Sequence, residues 1–214
     1  MTRVKVCGVT QLEDAQLAAE LGAWAVGMVF VPESPRSCDP GTAELIGLEL
    51  KRKAEVVGVF VNWPLDELEL MADRASLTVI QLQGDEGPVY CREAARKTGA
   101  KVMKAIPAKD AAAVRKLVAY REVDFHMLDA HSEDVRGGTG TTFAWDLTSH
   151  HHSPIPLVLS GGLDADNVGE AIERVHPFAV DSASGTEAEP GVKDPVKLRA
   201  LFRAVEQADA RQAA

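Results

Sequence analysis

The sequence predicts an α/β fold: a single (β/α)8 TIM barrel with parallel strands, one domain spanning residues 1–214. Three observations predict it. Eight short runs rich in β-branched residues recur along the chain. Their starts lie about 20 to 30 residues apart, and the gaps between them carry helix-period patterns, the sequence form of repeated βα units. No linker or change in composition divides the chain. A doubly wound open sheet shares every local signal, but eight repeats close naturally into a barrel of about 200 residues or more.

The strand runs are, in order, "RVKVCG", "AVGMVFV", "VVGVFV", "TVIQLQG", "KVMKAI", "DFHMLDA", "IPLVLSGG" and "FAVDSASG". After the first, Thr10 and Glu13 read as a capping box ahead of Leu12, Ala15 and Ala19, with Gly22 closing the helix. Asp39 before Pro40, and Asp194 before Pro195, read as an N-cap followed by a first-turn proline, whose missing N–H goes unused there anyway. Gly99 ends a further helix as Gly22 does. Pro64 belongs at a helix start, so the third strand ends near Asn62. The terminal "QADARQAA" is expected to fray.

Hydrophobic residues make up 46% of the chain and charged residues 26%, as in an ordinary globular protein, and no apolar run is long enough to cross a bilayer. The N-terminus lacks the apolar core and cleavage site of a signal peptide, which points to the cytoplasm. Three cysteines, Cys7, Cys38 and Cys91, have no paired spacing, so reduced thiols are expected and no structural zinc site. A net charge of −9 disfavours nucleic acid and leaves small anionic metabolites as ligands. His150, His151 and His152 lack a carboxylate or cysteine at ligand spacing and read as a solvated loop beside Pro154.

In a closed parallel barrel the chemistry gathers at the carboxyl ends of the strands. Those ends carry Cys7, the "SPR" around Arg36, Gln81 and Gln83, Asp129, "GGTG" at 137–140, "SGG" at 160–162 and "DSASG" at 181–185. Strand alternation places Lys5 and Cys7 on one face, and Phe125, Met127 and Asp129 on another. If both faces point inward, a thiol and a carboxylate meet across the mouth. Glycine-rich turns after strands seven and eight let backbone amides approach an anion, and a helix N-terminus after "SASG" would add a favourable dipole. Two such turns point to a phosphate. Arg36, between Pro35 and Ser37 in a mobile-loop setting, is either a fork for a carboxylate or a solvated surface arginine. Gly137, Gly138 and Gly140 with Thr139 read as a loop that closes over a ligand, or as a long surface loop. Cys38 and Cys91 have no base nearby and read as apolar filler.

The motifs "VKVCGVT", "GMVFVPESPRS", "VGVFVN", "VIQLQGDE", "MLDA", "GGTGTTFAW", "LSGGL" and "DSASGTEAEPGVKD" occur in the order and approximate spacing of one family. On these motifs, over nearly its whole length, the chain resembles the phosphoribosylanthranilate isomerase family of tryptophan biosynthesis. The resemblance implies an Amadori rearrangement of N-(5-phosphoribosyl)anthranilate without a cofactor. It implies Cys7 as general base and Asp129 as general acid. It also implies Arg36 on the anthranilate carboxylate, Asp181 near the sugar, and the phosphate against Gly161, Gly162, Ser184 and Gly185. The chain departs from the family at Gln83, where a histidine is usual, at Ala144 and at Ala183. Gln83 retains a substrate-binding role but cannot titrate near neutrality.

The resemblance further implies a small phosphorylated molecule as substrate; composition and charge speak against a membrane or nucleic-acid partner, and the sequence leaves monomer and homodimer open. Related barrels serving both tryptophan and histidine synthesis usually carry an aspartate where this chain has Cys7, so one substrate is expected. Two rival readings are a catalytically silent phosphosugar-binding barrel and another phosphosugar enzyme, such as indole-glycerol-phosphate synthase. The synthase would need a lysine and glutamates at the strand ends, for which Lys104 is the obvious lysine.

Overall fold

The computed structural model describes residues 1–129 and 145–212. Gly137, Gly138, Thr139 and Gly140 of the glycine-rich loop, and Ala144, lie outside the described residues. The strands β1 (Arg3–Cys7), β2 (Ala25–Val29), β3 (Glu55–Phe60), β4 (Val79–Leu82), β5 (Lys101–Pro107), β6 (Phe125–Asp129), β7 (Leu157–Ser160) and β8 (Ala179–Ser182) pair in parallel, in chain order. The ring closes between β1 and β8, with Val4 opposite Val180 and Lys5 opposite Asp181. All eight runs read from the sequence are strands of this closed barrel.

Both faces of each strand are buried, and alternate residues enter two separate apolar clusters. Val57, Val79, Met103, Met127 and Val158 form one, inside the ring. Val26, Val56, Ile80, Val102 and Val180 form the other, beneath helical residues such as Ile46, Leu68, Ala94, Ile172 and Leu201. This double burial is why the strands read as continuous apolar runs. At the amino-terminal end the lumen is plugged by Trp24, Phe125 and Phe178, whose ring centroids lie 5.1 to 5.4 Å apart. Arg3 covers Phe178 at 4.3 Å. Towards the carboxyl end the lumen turns polar, through Lys5, Gln81 and Asp181, all buried.

The outer helices follow the local signals in most cases. Asp39 caps α2 (Pro40–Leu50), accepting from the Gly41 and Thr42 amides. Gly99 ends α4 (Pro88–Thr98) in the left-handed conformation, at φ 67°. The final helix, Pro195–Gln212, receives the Asp194 carboxylate on the amides of Val196 and Lys197. Two expectations are corrected. The capping box at Thr10 and Glu13 does not form: α1 (Leu12–Glu20) follows Gln11 without a side-chain cap, because the Thr10 hydroxyl donates to Gly191 O at 2.6 Å. Nor does the C-terminal segment fray before Gln212, since Ala208 is buried and Asp209 accepts from the Thr2 amide at 2.6 Å and hydroxyl at 2.8 Å.

His151 is also not a solvated loop residue. It is half-buried, with Nε2 2.8 Å from Nδ1 of the fully buried His126, whose Nε2 meets Tyr120 O at 2.9 Å. Burial pulls the His151 pKa down to about 4, helped by the neighbouring His126 and His152, and burial also lowers that of His126. Among the described residues no group of three or more His, Cys, Asp or Glu is placed to hold a metal ion. A histidine kept neutral by folding contributes stability above its unfolded pKa, about 6.5, and loses it as pH falls through the folded value. Urea midpoints should therefore fall as pH is lowered from about 7 to about 4.5. The fall should be smaller in His151→Gln, and an equal fall in both proteins would contradict this contribution.

Candidate active site

A cavity of about 510 Å³ opens at the carboxyl ends of the strands, lined by Cys7, Arg36, Gln81, Gln83, Asp129, Asp181 and their neighbours. A second lobe of about 400 Å³ shares Arg36, Asp129, Ser160, Asp181 and Ala183 with it and continues past Gly161, Gly162 and Ser184. The structure thus brings together Cys7, Arg36, Gln83, Asp129, Gly161, Gly162, Asp181 and Ser184, whereas Gly185 does not line either lobe. Cys7 comes from the end of β1 and Asp129 from the end of β6. Both border the same lobe.

Cys7 is buried, and a methyl group added at Gly27 of β2 would lie 2.9 Å from its Sγ and 3.2 Å from Lys5 Nζ. The thiol and the ammonium therefore meet over one glycine, as strand alternation required. Burial pushes the Cys7 thiol up and the Lys5 ammonium pulls it part of the way back, so its pKa stays raised. Burial also acts against the Lys5 charge, but Asp181 and Cys7 outweigh it, and the Lys5 pKa is raised. Lys5 Nζ donates to Asp181 Oδ1 at 2.8 Å, and Asp181 Oδ2 accepts from the Ser160 hydroxyl at 3.1 Å. Asp181 borders the cavity with both oxygens already engaged.

Gln81 is buried at the end of β4 and donates from Nε2 to Oε1 of the exposed Gln83 at 2.9 Å. Its own Oε1 is buried without a partner among the described residues, although the residue lines the cavity. Lys104 is turned away from the mouth. It is buried between Glu86 Oε2 at 2.8 Å and Gly84 O at 2.6 Å, and fastens the loop after β4.

Arg36 is not a mobile surface arginine. Its Nε lies 2.8 and 3.1 Å from the two carboxylate oxygens of Glu187, and its Nη2 lies 2.7 Å from Oε2. Glu187 and Lys193, which approach each other to 3.3 Å, were not singled out from the sequence. The signal for this cluster was the charged run "TEAEPGVKD" after the last strand.

The turns after β7 and β8 fit closely. Gly161 and Gly162 take positive φ, 108° and 65°, and a methyl at Gly185 would lie 2.1 Å from Leu163 O. The helix expected after "SASG" is a single 3-10 turn, Ser184–Thr186. It is followed by the antiparallel pair β9 (Glu187–Glu189) and β10 (Val192–Lys193). The dipole there is that of one turn, and a hairpin takes the place of the helix.

The family model described as N-(5'phosphoribosyl)anthranilate (PRA) isomerase matches residues 4–204. A protein of Pelobacter propionicus named N-(5'-phosphoribosyl)anthranilate isomerase is 43% identical over 203 residues, 95% of each chain. The crystal structure of phosphoribosyl anthranilate isomerase from Thermotoga maritima superposes with a TM-score of 0.86 at 38% identity, covering 97% of this chain and 100% of that one. A structure of such an enzyme in complex with reduced 1-(o-carboxyphenylamino)-1-deoxyribulose 5-phosphate superposes with a TM-score of 0.83 at 37% identity, with the same coverage.

The contact between the last two turns generates a stability prediction. Gly185→Ala places a methyl against a backbone oxygen that cannot yield, so its urea midpoint should fall by the equivalent of about 1–3 kcal/mol. Gly169→Ala, near the start of the helix Val168–Val175 and facing only the end of the Arg211 side chain, should be neutral or stabilising. Equal effects at the two positions would contradict the close fit.

Proposed function

The chain belongs to the N-(5'-phosphoribosyl)anthranilate isomerase family, and we propose that it converts N-(5-phosphoribosyl)anthranilate to 1-(2-carboxyphenylamino)-1-deoxyribulose 5-phosphate in tryptophan biosynthesis. The single observation that carries the assignment of roles is the shared cavity. Cys7 and Asp129 border one lobe, Arg36 lies where the lobes join, and the glycine turns line the other.

In this reading the substrate's phosphate lies against Gly161, Gly162, Ser184 and Gly185, and the positive φ of Gly161 and Gly162 suits backbone amides that approach an anion. Arg36 takes the anthranilate carboxylate through a planar fork. Asp181 borders the sugar and, through Lys5, keeps an ammonium beside the thiol. Gln83, exposed on the cavity wall and held by the Gln81 amide at 2.9 Å, offers its hydrogen-bonding groups to the substrate.

Asp129, protonated, gives its proton to the furanose ring oxygen. The C1–oxygen bond breaks as the anthranilate nitrogen lone pair forms an iminium at C1. Cys7 as thiolate then removes the C2 proton, and the C–H electrons form the C1–C2 double bond while the iminium becomes a neutral enolamine. Tautomerisation gives the ketose. No electrons leave the substrate, so the chemistry calls for no redox cofactor. The protein is read as cytoplasmic, monomeric or homodimeric, which suits three buried and unpaired cysteines. Among the described residues no helix is long and apolar enough to cross a membrane. The synthase reading is not favoured, because Lys104 is enclosed by Glu86 and Gly84 rather than facing the cavity.

Cys7→Ala and Asp129→Asn, assayed separately for isomerisation with folding checked by circular dichroism, should each lower kcat/KM by about 10²- to 10⁴-fold. Near-normal values in both would overturn the roles. Ligand binding without turnover by the wild-type protein would favour the silent barrel. Because burial holds the thiol above its usual range, the thiolate is a minor species at neutral pH. The wild-type kcat/KM should therefore rise with pH from about 7 to about 9. A profile already flat above neutrality would contradict Cys7 as the titrating base.

A further inference from the structure

We infer that Glu187 is a positioning residue for recognition of the substrate's carboxylate: it sets the orientation of Arg36 and couples it to the segment that carries the phosphate turn. The inference rests on the reading of Arg36 as the carboxylate's partner and goes beyond it, to what makes Arg36 selective.

The geometry is that of a clamp. Arg36 stands in the loop after β2 and Glu187 opens β9, and three short contacts join them, using Nε and Nη2 of the guanidinium and both carboxylate oxygens. A bidentate pair fixes the plane of the guanidinium as well as its position. The edge formed by Nε and Nη2 is taken by Glu187. The other edge, Nη1 with the second Nη2 hydrogen, is the one free of Glu187, on a residue that borders both lobes. One fork faces the protein's own carboxylate, and the adjacent end-on fork is set for a second one.

Glu187 cannot swing away to release this arrangement. Its Oε1 also meets Lys193 Nζ and the Gly191 amide, each at 3.3 Å, and Lys193 Nζ donates to Ala183 O at 3.0 Å. The hairpin carrying these groups is tied to the start of α1 by Thr10 on Gly191 O at 2.6 Å and by the Lys193 amide on Asp14 at 2.8 Å. The arginine stem is confined from the other side. A methyl at Gly8, where φ is +73°, would lie 2.7 Å from Arg36 Cδ and 3.4 Å from Glu187 Oε1. Backbone, carboxylate and hairpin thus hold one rotamer, and Glu187 lies three residues beyond Ser184 of the phosphate turn.

A purely structural ion pair would affect stability and leave selectivity alone, so the test reads selectivity. Inhibition constants are measured for reduced 1-(o-carboxyphenylamino)-1-deoxyribulose 5-phosphate, for its phenylamino counterpart without the carboxylate, and for inorganic phosphate. They are compared in the wild type, Glu187→Gln, Glu187→Asp and Arg36→Met. Glu187→Gln should lower the preference for the carboxylate-bearing inhibitor about tenfold, which corresponds to the loss of one charge-assisted contact. It should raise KM more than it lowers kcat and leave inhibition by phosphate unchanged. Glu187→Asp should recover part of the preference. Full preference in Glu187→Gln with its loss in Arg36→Met would overturn the role of Glu187 and leave that of Arg36 standing. Full preference in Arg36→Met would overturn the carboxylate assignment itself. If Glu187→Gln fails to fold, the partial preference expected of Glu187→Asp decides, and a wild-type preference there counts against the clamp.

Discussion

The barrel closes where β1 meets β8, and the interaction on which the site depends lies at that seam. Lys5 and Asp181 are register partners, joined at 2.8 Å with side chains 0% and 5% exposed. A buried ion pair loses hydration that its attraction only partly offsets, so it is a poor way to gain stability. Its value here is positional. Asp181 reaches Ser160 on β7, and Lys5 reaches Cys7 at the top of its own strand, so three adjacent strands share one polar network. Had the seam been closed by two valines, the thiol would have no cation to favour its charged form.

The polarity of the lumen is graded along the barrel axis. Aromatic rings seal the amino-terminal end, aliphatic side chains fill the middle, and polar groups occupy the carboxyl end, where loops add Arg36 and the glycine turns. The gradient lets one fold be rigid below and reactive above. Loops that carry function are also fastened. Glu86 joins the loops after β3 and β4 through the Asn62 amide at 2.7 Å and Lys104 at 2.8 Å, and Glu187 fastens the loop after β2 to the hairpin after β8.

What the sequence disclosed and what it hid divide by range. Strand runs, the caps at Asp39 and Gly99, and the placement of Cys7, Asp129 and the glycine turns at strand ends follow from neighbours within a few residues. Tertiary contacts decided the rest. Thr10 is a good cap by local rules, but its hydroxyl is taken by Gly191, 181 residues away. By local rules Arg36 reads equally as a carboxylate fork or a solvated surface arginine, because its partner lies 151 residues further on. His151 looks solvated until His126 is placed against it. The helix expected after "SASG" gives way to a hairpin because Glu187–Glu189 finds Val192–Lys193 as its pair. The motifs that carried the family resemblance were local, which is why the family was legible while the supports of the cavity were not.

In the proposed reaction Cys7 and Asp129 act from opposite sides of one sugar held between Arg36 and the glycine turns. The most direct measurement is a crystal structure of this protein with reduced 1-(o-carboxyphenylamino)-1-deoxyribulose 5-phosphate bound. The carboxylate should lie on the Nη1–Nη2 edge of Arg36, the phosphate on the amides around Gly162 and Ser184, and the sugar carbons between the thiol and the Asp129 carboxyl. A ligand bound with its carboxylate away from Arg36, or with both reacting groups on one face of the sugar chain, would contradict it.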